Sequence, residues 1–168
     1  MRDILFRGKR KDNGYFVYGY YGEFHNRPLI PGENSCQIFE VCENCHMFGS
    51  MIGGFWREVE RETVGQFSGW TDKKDQKIFE GDIVELESHG YIPTLERGVV
   101  VFKDGCFGIE YQSAVARKFG WDKTFHRIGT ISEWRDMGAS GTITYTYEVI
   151  GNIYDNPELL EKGANNAD

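Results

Sequence analysis

The 168-residue, 19.3 kDa chain has room for one core or two small fused β lobes and is too short for a large multidomain enzyme. With 40% apolar and 27% charged residues it has an ordinary folded composition rather than a disordered one, and no apolar run approaches a membrane-spanning length. Lys and Arg number 19 against 26 Asp and Glu, and the net charge of −7 opposes indiscriminate attraction to phosphate backbones or anionic lipid.

Twelve Phe, nine Tyr and four Trp beside 21 Gly and only 4 Pro suit short strands joined by tight turns. The first such unit is Ile4 to Arg7 and Tyr15 to Tyr21, flanking a polar segment that ends in Asn13-Gly14, a pair suited to a hairpin turn. Basic groups concentrate here. Arg2, Arg7, Lys9, Arg10, Lys11 and Arg27 outnumber Asp3, Asp12 and Glu23, so residues 1–27 carry +3 and the rest of the chain −10. A solvated hairpin tip accounts for this cluster, and a patch for nucleic acid or an acidic partner is the alternative. Along the second strand Tyr15, Val17 and Gly19 fall on one face and Phe16, Tyr18 and Tyr20 on the other. One face must be core, which leaves the other open to a partner near Arg7 and Lys9.

Residues 28–58 show neither helical nor strand period beyond a short edge-strand candidate at Pro28 to Gly32, and the expectation is an irregular excursion. A strand is expected at Thr63 to Phe67, a polar connector from Ser68 to Lys77, and a further run from Ile78 to Leu86. In that run Gly81 supplies a turn and the Asp82 carboxylate is placed to accept backbone N–H groups. Gly98 to Phe102 and Cys106 to Tyr111 form the clearest hairpin, with Asp104-Gly105 at the turn and Val99, Val101, Phe107 and Ile109 expected on one buried face. A strand over Thr142 to Ile150 follows. One helix is expected, with Asn156 as N-cap, Pro157 at the first position, Leu159 and Leu160 docking, and Gly163 ending it. The fold class is therefore mainly β, divided into an N-terminal β-hairpin region with its excursion over residues 1–60 and a second part over 61–168 that ends in the short helix.

Four of these blocks carry a resemblance. Leu5-Phe6-Arg7-Gly8-Lys9-Arg10-Lys11-Asp12-Asn13-Gly14 with Phe16-Val17-Tyr18-Gly19, Thr63-Val64-Gly65-Gln66-Phe67-Ser68-Gly69-Trp70, Ile78-Phe79-Glu80-Gly81-Asp82-Ile83-Val84, and Glu148-Val149-Ile150-Gly151-Asn152 running into Pro157-Glu158-Leu159-Leu160 resemble, in this order, the YopX family of phage and prophage proteins. The resemblance implies a bacteriophage or prophage origin, expression in a bacterial cytoplasm, and a mainly β fold with an SH3-like small barrel in the later part. It carries over no catalytic residues. The stretch over residues 34–58, with Cys36, Cys42 and Cys45, departs from the family's usual pattern.

The remaining chemistry is sparse. Cys42 and Cys45, with two residues between them and followed by His46, could share a zinc ion with Cys36, yet no second ligand pair stands at zinc-ribbon distance, so reduced loop thiols are expected and no metal or cofactor. A haem attached at Cys42, Cys45 and His46 would need export, whereas the opening Met1-Arg2-Asp3-Ile4-Leu5-Phe6-Arg7 places charges where a signal peptide needs its apolar centre. His25, His46, His89 and His126 stand apart in sequence, Glu58, Glu60 and Glu62 read as a solvated strand face, and no phosphate-cradling glycine motif is present. An enzyme is not expected. The residues left for function are Arg7, Lys9, Arg10, Lys11, Tyr18 and Tyr20, as the contact surface of a cytoplasmic binding module that takes a protein partner or a second copy of itself, with single-stranded nucleic acid as the alternative and no membrane.

Overall fold

Short alternating runs broken at Gly-containing turns fold almost entirely as antiparallel strands. The computed structural model describes residues 4–24, 35–41, 54–89, 94–113, 118–120, 122–129, 132–136 and 139–162. Two antiparallel sheets result, with strand orders β4-β3-β2-β1-β5-β6 and β10-β9-β8-β7-β12-β11, and neither is closed. Their strands are β1 (Phe6–Lys9), β2 (Phe16–Phe24), β3 (Ser35–Val41), β4 (Gly54–Glu58), β5 (Gly65–Thr71), β6 (Lys77–Phe79), β7 (Asp82–His89), β8 (Thr94–Lys103), β9 (Cys106–Tyr111), β10 (Thr124–Arg127), β11 (Ser132–Asp136) and β12 (Ala139–Asn152). A short helix, α1 (Glu158–Lys162), follows β12. The chain divides into two compact units, Met1–Phe67 and Ser68–Asp168.

In the first unit β1 and β2 form the expected hairpin, with Phe6 opposite Gly19 and Lys9 opposite Phe16, and Gly14 takes φ +74° in its turn. The expected irregular excursion is corrected here: Ser35–Val41 and Gly54–Glu58 are paired strands. Ser35-Cys36-Gln37-Ile38 alternates polar and apolar for only four residues before Phe39 breaks the period, and all four are buried, so β3 is covered on both faces over this stretch. Pro28 to Gly32 lies outside the described residues. The core is small: Val17, Cys36, Ile38 and Val59, with Phe6, Tyr21 and Val64 packed on it. Val59 also bridges back to Arg10, supported by Lys11 N–H to Glu58 C=O at 3.0 Å and Glu60 N–H to Lys9 C=O at 2.8 Å. The hairpin end is thereby fixed against the end of β4.

Thr63 belongs to a 3-10 turn, Arg61–Thr63, rather than to the strand expected there. Its hydroxyl donates to Glu60 C=O and accepts the Lys9 N–H, which holds the turn against β1. Glu58, Glu60 and Glu62 are exposed as expected, but only Glu58 is in a strand.

The second unit also corrects the sequence reading in places. The polar connector begins later, since Ser68 to Thr71 continue β5 and only residues 72–76 turn. That turn is organised by Asp72, whose buried carboxylate accepts N–H groups from Lys74 at 2.8 Å, Gln76 at 2.9 Å and Val149 at 3.1 Å. Burial alone would raise its pKa, but the three donors outweigh it and hold the carboxyl below its ordinary value. Gly81 adopts φ +81° and Asp82 accepts the Phe79 N–H at 2.7 Å, as the Gly-Asp pattern predicts. The Asp104-Gly105 turn has φ values of +51° and +78°, the two positive angles of a type I′ hairpin.

Register corrects the buried face of that hairpin. Val100 pairs with Ile109 and Phe102 with Phe107, so Val100 is fully buried with Phe107 and Ile109, while Val99 and Val101 lie on the opposite face. The core gathers Ile78, Val84, Leu86, Val100, Phe107, Ile109, Ile128 and Tyr147, with Tyr111, Tyr145 and Val149 against it. The sheet curls enough for β10 to touch β12: the His126 ring stands 4.1 Å from that of Tyr145, and the Tyr147 hydroxyl lies 3.3 Å from His126 Nε2 and accepts the Gly129 N–H at 3.2 Å. At the C-terminus the Asn156 C=O accepts the Leu159 N–H, Leu159 and Leu160 are half-buried, and Arg97 donates to the Leu159 C=O at 2.8 Å while pairing with Glu85. Gly163 lies outside the described residues.

Candidate functional site

Alternation along β2 decides which side chains of the first unit meet solvent. Val17 and Gly19 point into the core, so Phe16, Tyr18 and Tyr20 must point out. Residues directly opposite one another across paired strands share a face. The register therefore places Lys9 and Arg7 of β1 beside Phe16 and Tyr18, and carries the row from Tyr20 to Phe39 of β3 and on to Trp56 of β4. Phe39 and Trp56 touch, with ring centroids 5.2 Å apart and planes at 53°. Tyr18, Tyr20 and Trp56 remain 51%, 54% and 48% exposed. Large rings left half in water on β2 and β4, with Phe39 of β3 between them, form an apolar patch of the kind that marks an interaction surface.

Cations border this row unequally. Arg7 is only 5% exposed, with its guanidinium carbon 4.9 Å from the Phe16 ring centroid, so it is packed into the unit and does not present a surface charge. Lys9 is half-buried, its ammonium 5.7 Å from the same ring. Arg10 and Lys11 lie past the end of β1, where with Asp12, Trp56, Arg57 and Glu58 they line an open depression of about 360 Å³. The sequence-selected residues thus fall in three places: Lys9, Tyr18 and Tyr20 on the open face, Arg10 and Lys11 in the depression beside it, and Arg7 underneath.

Each cation of the depression has a carboxylate partner. Arg10 holds Asp12 through two hydrogen bonds, one of them 2.9 Å from Nε, and chiefly through this contact keeps the Asp12 carboxyl below its ordinary pKa. Lys11 stands 3.5 Å from Glu58, and Arg57 stands 3.3 Å from Glu40. Such exposed pairs contribute roughly 0–1 kcal/mol and exchange readily.

Phe39, Trp56 and Arg57 were not foreseen from sequence, because β3 and β4 were not recognised. The signal available was Phe55-Trp56-Arg57-Glu58-Val59, a short run rich in strand-favouring residues just after Gly53-Gly54. Cys42, Cys45 and His46 lie outside the described residues. Cys36 is buried in β3 with its Sγ 3.4 Å from the Tyr21 hydroxyl. Burial first, then Cys36 and the Tyr21 hydrogen bond to Glu23, push that phenol's pKa up. Among the described residues no group of three His, Cys, Asp or Glu side chains converges on a possible metal position.

These features define an antiparallel β protein with an aromatic face on its N-terminal unit. The chain belongs to the YopX family, whose model, described as YopX protein, matches residues 5–161, nearly the whole length. None of the curated proteins compared with it matches. No described helix is long and apolar enough to cross a membrane.

Proposed function

We propose that this protein is a nonenzymatic accessory of a bacteriophage or prophage, working in the bacterial cytoplasm by holding another macromolecule against the aromatic face of its first unit. One observation carries the reading: Tyr18, Tyr20 and Trp56 stay about half exposed in a single row across β2, β3 and β4 while the buried cluster of the unit, Val17, Cys36, Ile38 and Val59, holds no ring. Leaving such rings in water forgoes favourable burial that a partner's surface can supply. The two described histidines are engaged in structure, His126 against Tyr145 and Tyr147 and His89 at 3.0 Å from Thr146. In the second unit the contact between β10 and β12 supports an SH3-like small barrel as the finer description, with its role taken as scaffold.

The test is a photo-reactive phenylalanine analogue placed at position 20 in prophage-carrying bacteria. It should trap one defined species, a partner or a second copy, and the trapping should fall when Trp56→Ala is added. The same analogue at position 102, an exposed ring of the second unit, serves as reference. Equal trapping at both positions, or none at position 20, rejects the reading.

A further inference from the structure

An asparagine side chain can be turned into a carboxylate by the backbone nitrogen that follows it, and glycine, with no side chain to block the approach, permits this most readily. Asn13-Gly14 sits at the tip of the β1–β2 hairpin, where residues 11–15 are all exposed. Gly14 takes φ +74°, and nothing lies within 4 Å of where its Cβ would stand, so solvent reaches the pair. Two hydrogen bonds act on the reacting groups in opposite senses. The Tyr15 N–H donates to Asn13 Oδ1 at 3.1 Å, which draws electrons from the amide carbon and stabilises an oxyanion formed there. The Gly14 N–H donates to the Arg10 C=O at 2.9 Å, which keeps the attacking nitrogen occupied.

We propose that Asn13 is a modification site of this protein, an asparagine primed for deamidation by Tyr15 and locked by the one bond from Gly14 to Arg10. When the lock opens, the Gly14 nitrogen loses its proton to hydroxide and attacks Cγ. The new N–Cγ bond closes a cyclic imide, the Cγ–Nδ2 bond breaks, and the amide nitrogen leaves as ammonia after taking a proton from water, which restores the hydroxide. Water then opens the imide at either carbonyl and leaves aspartate or isoaspartate, so the net exchange is one water for one ammonia. The other two described asparagines mark the difference. Asn152 is primed in the same way, its Oδ1 accepting the Tyr154 and Asp155 N–H groups at 3.0 Å each, but its follower is the β-branched Ile153, whose N–H is held by the Gly81 C=O at 3.0 Å. Asn156 precedes Pro157, which has no N–H to lose.

The product acts on the border of the candidate site. In the depression the charges are balanced pair by pair, Arg10 with Asp12, Lys11 with Glu58 and Arg57 with Glu40. A carboxylate at position 13, next to Asp12, finds these cations already engaged and adds a net negative charge. Isoaspartate goes further, because it inserts a backbone methylene into a turn closed by Gly14 N–H to Arg10 C=O and by Arg10 N–H to Tyr15 C=O at 3.0 Å. Those bonds place Arg10, which bridges Val59, and Lys11, whose N–H holds the Glu58 C=O. Conversion to isoaspartate therefore loosens the hairpin end from β4, and the change runs in one direction only.

The test is incubation of the full chain in mildly alkaline buffer, its peptides followed by mass spectrometry, with the urea-unfolded chain as reference. Asn13 should convert and Asn152 should not. The native rate at Asn13 should fall below the unfolded rate by the same factor, within about threefold, as that by which the fold slows hydrogen exchange of the Gly14 N–H, because both need the one bond broken. Isoaspartate at position 13 should speed exchange at Glu60, whose N–H is bonded to the Lys9 C=O, whereas Asn13→Asp, which keeps an acceptor for Tyr15, should not. Asn13→Gln, whose longer side chain closes the imide poorly, should stay unconverted and guards against a mass gain arising elsewhere in the peptide. Conversion as fast in the native chain as in the unfolded one, no conversion while the Gly14 N–H exchanges freely, or conversion of Asn152 as fast as that of Asn13 would each overturn the proposal. The outcome does not depend on whether the aromatic face holds a partner.

Discussion

The two units fill their buried cores with different kinds of side chain. The second unit spends rings on its interior: Phe107 and Tyr147 are buried in the core, with Tyr111 and Tyr145 packed against it. The first unit has a core of Val17, Cys36, Ile38 and Val59 and sends Tyr18, Tyr20 and Trp56 outward. Phe6 and Tyr21 pack only against the edge of that cluster, so its buried centre holds no ring and lets backbones come close together. A Cβ on Gly19 would stand only 1.9 Å from the Phe39 carbonyl oxygen, and one on Gly8 would lie 3.1 Å from Val59 Cβ. The difference teaches where each unit is vulnerable: ring removal threatens the second, added bulk threatens the first.

The largest expected effect is therefore in the second unit. Phe107→Ala should cost about 3–5 kcal/mol, because it removes a buried ring that also contacts Phe102 at 4.9 Å. Urea unfolding should show the drop, and a loss below about 1 kcal/mol would mean that this core does not depend on its rings.

Next comes the converse substitution in the first unit. Gly19→Ala should cost about 3 kcal/mol or more, since the obstacle is a backbone carbonyl of the neighbouring strand that cannot rotate away. Gly108→Ala meets the movable ring of Phe125 at 2.3 Å, in addition to the His126 carbonyl at 2.7 Å, so it should be the milder of the two. Reversal of that order, measured by midpoints in urea, would break the contrast between a core centre without rings and a ring-filled one.

How far the sequence foretold this contrast depended on how each strand is buried. The inward and outward faces of β2 followed from alternation, and the Asn-Gly, Gly-Asp and Asp-Gly turns followed from their φ requirements, because both signals are local. β3 and β4 were missed because their periodic stretches are short: Ser35-Cys36-Gln37-Ile38 alternates for only four residues before Phe39 breaks the phase, and Gly54–Glu58 opens on two adjacent rings that carry none. The Val99 and Val101 error had another cause. Four consecutive β-branched or aromatic residues, Val99 to Phe102, carry no phase, and only pairing with β9 selects Val100. The candidate site was half legible for the same reason: Tyr18 and Tyr20 lie on a strand that sequence locates, with Lys9 in the same hairpin, whereas Trp56 joins them through pairings across β3 that no local pattern encodes.

A smaller effect should distinguish the units by pH. Burial holds the His126 imidazole below its ordinary 6.5, with the rings of Tyr145 and Tyr147 beside it. The neutral form is favoured in the fold, so its contribution is complete above the unfolded value of 6.5. It is lost as pH falls below that value, where the unfolded chain takes up a proton that the folded one does not. Hydrogen exchange at pH 7 and 5.5 should show protection falling in β10 and β12 more than in β1 and β2. An equal fall in both units would remove His126 as its cause.

The smallest effect on stability is expected where the functional claim is greatest. Tyr18→Ser removes a ring that is 51% exposed, opposite Arg7 across the β1–β2 pairing, and leaves Val17 and Gly19 untouched on the other face. Exposed substitutions of this kind stay within about 0.5 kcal/mol, and Ser is tolerated at a solvent-facing strand position, with only a modest loss of strand preference. The thermal midpoint should hardly move, while trapping by the analogue at position 20 should fall. That split is what separates a contact residue from a packing residue. If Tyr18→Ser instead destabilised the protein as much as Phe107→Ala, the outward rings of the first unit would be structural after all, and the opposition between the two units would disappear.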